Sequence, residues 1–142
     1  MILHIKKKKK MFTEADAKEA ILKLSQIKGV ERAKLIERML RLETAHFKSL
    51  QYKMSGSAGM EEGSWKNLPK NSYSTFQMLD NHLKGDKQMR TFIKWNSVYE
   101  FCIYLSDYID RHDGNYARWN AVSAERQKVY KKHLEGVRNR FI

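Results

Sequence analysis

A chain of 142 residues with 42% apolar content is most naturally one domain able to bury a core, which excludes a disordered composition for its body. Lysine and arginine number 28 against 16 aspartate and glutamate, and the resulting +12 favours polyanions: nucleic acid, anionic lipid heads, or the anionic polymers of a bacterial wall. Cys102 is the single cysteine, which excludes an intrachain disulfide and a thiolate metal cluster, and no run reaches the roughly 20 apolar residues of a membrane span.

Residues 1–11, MILHIKKKKKM, read as a basic arm. Ile2, Leu3 and Ile5 can add a short strand or clip, while Lys6 to Lys10 repel one another and stay solvated. The charges follow a very short apolar piece, the reverse of a secretory signal. Thr13 caps a first helix with Glu14 and Asp16 in its first turn. Ala17, Ala20, Ile21, Leu24 and Ile27 give that helix its apolar face, and Gly29 stops it.

A second helix spans Val30 to Ala45. The next stretch, from Gln51 to Asn71, carries Gly56, Gly59, Gly63 and Pro69 and reads as a loop or small β-lobe. Ser72 opens a third helix bearing Phe76, Leu79 and Leu83, closed by Gly85. Asn96 or Ser97 opens a fourth, with Ser97 and Glu100 at capping-box spacing. Val98, Phe101, Leu105, Tyr108 and Ile109 line its buried face until Asp113-Gly114 breaks it, and Cys102 is a small buried residue there. A last helix runs from Ser123 to Arg140, with Tyr130, Leu134, Val137 and Phe141 inward. The expected architecture is mainly α, with one glycine-rich excursion.

Glu43 breaks the pattern. It follows Ile36, Met39 and Leu40 on the apolar face of the second helix. A carboxyl pressed against apolar packing disfavours its charged form, and the negative end of the helix dipole acts in the same direction. A carboxylic acid that holds its proton near neutral pH suits general-acid chemistry on a glycosidic oxygen. The plain alternative is a buried glutamate neutralised by Arg41, His46 or Lys48. His46, His82, His112 and His133 reproduce no zinc spacing, and no phosphate-binding or dinucleotide glycine fingerprint is present, so no metal or cofactor is expected.

The segment LETAHFKS, followed by GSAGME, resembles the active-site signature of the lysozyme-like superfamily. Gly56-Ser57-Ala58-Gly59-Met60-Glu61 is similar to the loop of lytic transglycosylases. Glu43-Thr44, Phe47, Ser49 and Gly59-Met60, with Trp95-Asn96-Ser97, Phe101 and Tyr104, resemble the pattern of bacterial endo-β-N-acetylglucosaminidases. The closing segment from Gly114 to Phe141 is similar to the end of these wall hydrolases, where an aromatic turn precedes a last helix. Two departures separate the branches: Gly-Ser-Ala stands where the glucosaminidases have Asn-Leu-Phe, and Glu61 where the transglycosylases have Gln.

The resemblance implies a basic arm over 1–11 and a lysozyme-like helical catalytic domain over 12–142, with the loop or β-lobe beside an active-site cleft. It implies cleavage of peptidoglycan glycan strands by a monomer, with Glu43 as general acid/base. Glu61 and Glu62 are candidates for a second carboxylate, with Asp80 more distant. If neither faces Glu43, a one-acid mechanism is preferable. Ser57, Gly59, Met60, Tyr73, Trp95, Tyr116 and Trp119 are candidate substrate contacts, the aromatic ones as apolar platforms for sugar faces. Trp65 fits either packing or substrate. Anionic wall polymers are further candidate partners. Small size and the absence of an export signal point to phage-type synthesis in the cytoplasm, with release or virion association and action at the wall. Two alternatives stand beside this: a basic helical nucleic-acid-binding protein, resting on the net charge, and a wall-binding relative without turnover.

Overall fold

The computed structural model describes residues 11–83 and 86–142, without the side chains of 80–87. The Lys6–Lys10 run and Gly85 lie outside the described residues, as does the side chain of Asp80. The domain is mainly α, with one antiparallel hairpin. No helix among the described residues is long and apolar enough to cross a membrane.

Helix α1 covers Glu14–Lys28. Thr13 caps it through a reciprocal pair: its hydroxyl accepts from the Asp16 amide at 3.2 Å, and the Asp16 carboxylate accepts from the Thr13 amide at 2.8 Å. Ala17, Ala20, Ile21 and Leu24 are buried, whereas Ile27, expected on the same face, is 57% exposed where the helix runs past its neighbours. Gly29, at φ 93°, takes the turn into helix α2, Val30–Glu43. Helix α2 ends two residues before the expected Ala45, because the Thr44 hydroxyl donates back to the Leu40 carbonyl at 2.6 Å and then accepts from the Phe47 amide at 2.9 Å.

Ala45, His46 and Phe47 follow with φ of 50°, 56° and 67°, three consecutive left-handed residues with no glycine among them. Such a turn costs roughly 1–2 kcal/mol per residue. It drives Phe47 into the core at 4% exposure and delivers Ser49 to cap helix α3, Leu50–Ser55. The glycine-rich excursion therefore begins with a helical turn where only loop or β-lobe was expected.

Residues 73–95 correct the expected third helix. Tyr73–Leu83 is strand β1 and Asp86–Trp95 strand β2, antiparallel, with Tyr73 opposite Trp95 and Phe76 opposite Phe92. The spacing of Phe76, Leu79 and Leu83 imitates a helix, but Tyr-Ser-Thr-Phe and Thr-Phe-Ile-Lys-Trp are strand formers that supply each other's partners. Leu79 is accordingly 54% exposed. Residues 60–62 lie along β2, through Ile93 N to Met60 O at 2.7 Å and Glu62 N to Thr91 O at 2.8 Å. The hairpin and this loop make a small β-lobe.

Helix α4, Val98–Arg111, starts at the expected Ser97 cap, whose hydroxyl accepts from the Glu100 amide. A 3₁₀ turn, Tyr116–Trp119, leads to helix α5, Ala124–Glu135, capped by Ser123. The last helix thus stops short of Arg140. Gly136 ends it, and the tail is captured by the carboxylate of Glu37. That group accepts from Asn139 Nδ2 at 3.0 Å, Arg140 N at 2.8 Å, Phe141 N at 3.2 Å and Arg41 Nε at 2.7 Å. Glu37 and Arg41 are 0% and 1% exposed, and the Arg41 guanidinium lies against the stacked rings of Phe47 and Phe141. Phe141 packs on the core from the tail rather than from a helix face, and Val137, expected inward, lines a cavity with Arg38 and Leu134.

Glu37→Ala should lose about 3–5 kcal/mol of unfolding free energy, since it strands a buried guanidinium and frees the tail. His46→Gly should gain about 1 kcal/mol by removing left-handed strain at an exposed residue. Urea denaturation at pH 7 reads both, and a neutral Glu37→Ala would refute the first.

Candidate active site around Glu43

The last residue of α2 faces a wall built by the C-terminal third of the chain. Trp119 Nε1 donates to one Glu43 carboxylate oxygen at 3.1 Å, and the Tyr130 hydroxyl donates to the other at 3.0 Å. The 3₁₀ turn aims Trp119 and α5 aims Tyr130; both side chains are buried, Tyr130 at 4% exposure. Glu43 is half-buried and opens into a cavity of about 380 Å³ lined by Leu42, Asn120, Arg126, Val129, Tyr130 and His133. That volume lies within the range of small-molecule clefts.

Burial is the main influence on this carboxyl and pushes its pKa up to about 7, and the hydrogen bonds from Tyr130 and Trp119 offset only part of it. The neutralising partners considered from sequence are engaged elsewhere or turned away. Arg41 pairs with Glu37 at 2.7 Å and with Glu14 at 3.3 Å, and His46 and Lys48 are exposed. Tyr130 has its own pKa raised, first by burial and then by the charge of Glu43, so it remains a hydroxyl donor.

The other expected site residues are dispersed. Glu61 is ion-paired to Arg90 at 3.3 Å, and Glu62 is exposed; neither lines the Glu43 cavity. Ser57 is buried, hydrogen-bonded to Ser55, and Met60 lies beneath Trp95, whose indole N–H meets its sulfur at 3.4 Å. Trp95, at 1% exposure, is a core residue with no ring face open to a cleft. Tyr73 packs against it with ring centres 6.1 Å apart. Gly59, at φ 88°, lies against Gln51, where a Cβ would come within 3.1 Å of the side chain. Tyr116 lines a separate cavity with Arg38, Lys131 and Arg138. Of the ten residues expected at the site, the structure brings together Glu43 and Trp119.

Sequence reasoning assigned Tyr130 to the core and overlooked Asn120, Arg126 and His133. The signal for Tyr130 was its hydroxyl: a tyrosine rather than a phenylalanine on an inward face needs a polar partner. Trp65 proves to be stacked on Trp119, with ring centres 4.3 Å apart. Among the described residues, no group of three or more His, Cys, Asp or Glu side chains is placed to hold a metal ion. No protein-family model, no curated protein and no solved structure matches this chain.

The raised pKa of Glu43 has a thermodynamic consequence. Between pH 4.5 and about 7 the folded chain holds a proton that the unfolded chain has released, so stability falls as pH rises through that window. Above it the penalty amounts to roughly 3 kcal/mol. Glutamine removes the titration and keeps both contacts, its carbonyl accepting from Trp119 and its amide donating to Tyr130 Oη. The melting temperature of Glu43→Gln should therefore climb relative to the parent between pH 5 and pH 8. A difference that does not change with pH would show that Glu43 is not desolvated.

Proposed function

We propose that this protein cleaves the glycan strands of peptidoglycan, as a glycoside hydrolase or lytic transglycosylase of lysozyme-like fold, with Glu43 as general acid/base. The observation that carries the reading is the Glu43 carboxyl: desolvated, held by neutral donors, titrating near 7 and open to a sugar-sized cavity. Glycosidic cleavage begins with a proton delivered to the leaving oxygen, and a carboxyl whose pKa is pushed up to about 7 keeps a substantial protonated fraction near neutral pH to deliver it. The hydrogen bonds from Trp119 and Tyr130 orient both oxygens and stabilise the carboxylate that remains after transfer.

A one-acid route fits better than a carboxylate pair, because Glu61 is tied to Arg90 and Glu62 stands in solvent. Protonation by Glu43 breaks the glycosidic C–O bond as the sugar's own acetamido oxygen closes on the anomeric carbon. The carboxylate then takes a proton from an incoming water, or from the sugar's own hydroxyl, as that oxygen displaces the acetamido oxygen from the anomeric carbon and the acetamide is restored. The first outcome is hydrolysis and the second an anhydro product. The anchored position of the acid, at the end of α2 before a strained turn, suits a group that must hold one geometry through both transfers.

Charge gives a second reading some support. Lys128, Lys131 and Lys132 on α5, with Arg138 and Arg140 beyond it, are all exposed and form a basic surface. Binding to nucleic acid through that surface would fall steeply with salt. Anionic wall polymers would engage the same surface, holding the enzyme on its substrate. The basic surface alone accounts for neither the desolvated acid nor the cavity beside it.

Purified sacculi should release soluble muropeptides when incubated with the protein. Glu43→Gln should lower the rate at least about a hundredfold. The rate should decline as pH rises through about 7, where the acid loses its proton. Mass spectrometry of the products separates an anhydro-muramic end from a reducing N-acetylglucosamine end. Undiminished release by Glu43→Gln would exclude the assigned role.

A further inference from the structure

We propose that the cavity framed by Trp65, Tyr108, Arg111, Arg118 and Trp119 is a subsite for a carboxylate-bearing saccharide unit; this rests on the glycan-cleaving reading above. The cavity has a volume of about 400 Å³. Its floor is aromatic: Trp65 stacks on Trp119 at 4.3 Å and 30°, and Tyr108 meets Trp119 edge-on at 5.0 Å. Flat rings of this kind take the apolar face of a pyranose.

The rim is cationic. Lys66, Arg111 and Arg118 line the cavity, and no carboxylate lines it among the described residues. Neither arginine takes part in an ion pair among the described residues. Arg111 is held over the Tyr104 ring at 5.7 Å, and the Tyr108 hydroxyl donates to the Arg118 carbonyl at 3.2 Å, which ties that backbone to α4. Two guanidinium forks beside an aromatic floor exceed what a neutral sugar needs; they match a sugar that carries a carboxylate.

The position connects this cavity to the acid. Asn120 lines both this cavity and the one at Glu43, and Trp119 supplies the floor here while donating to the Glu43 carboxylate there. An acidic unit seated on Trp65, which stacks on Trp119, would therefore neighbour the unit whose bond is broken. Wall glycans offer a carboxylate from two sources, the lactyl ether of a muramyl unit and the peptide stem it carries.

The test measures binding in the Glu43→Gln chain, where ligands are not cut, by the fluorescence of the cavity tryptophans. Four probes are compared: chitobiose, the N-acetylglucosaminyl-N-acetylmuramic acid disaccharide, its lactyl methyl ester, and the same disaccharide with a dipeptide stem ending in a free carboxylate. The acidic probes should bind about tenfold more tightly than chitobiose and the ester. Adding Arg111→Ala and Arg118→Ala together should erase that preference while leaving chitobiose affinity unchanged. Preference confined to the stem-bearing probe assigns the carboxylate to the peptide, and preference already present in the free acid assigns it to the lactyl group. Equal binding of all four probes, or a preference that survives loss of both arginines, overturns the subsite. Cleavage of sacculi by the parent chain is scored separately: cleavage without preference removes the subsite alone, and preference without cleavage removes the enzymatic reading alone.

Discussion

The carboxylate of Glu37 is the fixed point on which the rest of the domain is hung. It is fully buried and answers four donors: the Arg41 guanidinium, the Asn139 amide, and the backbone amides of Arg140 and Phe141. Asn139 also donates to the Lys34 carbonyl at 2.9 Å, so the chain end runs back along α2. Arg41 then reaches Glu14 in the first turn of α1 and lies against Phe47 and Phe141. Two ion pairs that share Arg41 thereby join the first helix, the second helix, the left-handed turn and the tail. With the tail held on α2, α5 is kept beside the end of α2, and Tyr130 reaches Glu43.

Helix α2 carries two carboxyls whose pKa values move in opposite directions. Burial pushes both pKa values upward. At Glu37 that push is overcome by hydrogen bonds from Asn139, Arg140, Arg41 and Phe141, and the pKa ends below its ordinary value. At Glu43 the only offsetting contacts are two neutral donors, and the pKa ends near 7. The consequences for stability are opposite in sign. Glu37 stabilises the fold above its unfolded pKa and loses that contribution as pH falls through its folded one, whereas Glu43 weakens the fold as pH rises from 4.5 toward 7. The difference lies in the donor set: a guanidinium, an amide side chain and two backbone amides at Glu37, against two neutral side-chain donors at Glu43.

Local chemistry was the legible part of the sequence. Thr13, Ser97 and Ser123 announce helix starts because a short hydroxyl side chain satisfies free amides, and each does so. Glu43 was legible because a charge on an apolar stripe demands an explanation. Strand pairing was not legible, since Phe76, Leu79 and Leu83 satisfy a helical spacing and only the partner strand decides otherwise. The end of the last helix was hidden for a similar reason: the tail amides are claimed by Glu37, about a hundred residues earlier. The left-handed turn gave no signal at all, because Ala-His-Phe contains no glycine, and the conformation is enforced by Thr44 and the burial of Phe47. Of the candidate site, the acid was visible while its setting was not. Trp119 and Tyr130 find Glu43 from 76 and 87 residues away.

The two places where this chain defies local preference stand side by side. A carboxyl without a cation is followed within two residues by three left-handed side chains, and both features work against stability. Proteins keep such conflicts where a rigid geometry or a tuned group serves a purpose. A purely structural glutamate has no need of them, and the same helix shows what that alternative looks like. Glu37 is buried as deeply as any residue in the core, yet it is paired with a cation, saturated with donors and kept charged. Had Glu43 served only to tie α2 to the C-terminal elements, Arg126, which lines its cavity, would give it the partner that Arg41 gives Glu37. Instead burial pushes its pKa up to about 7, two neutral donors hold it, and the residue lines a cavity.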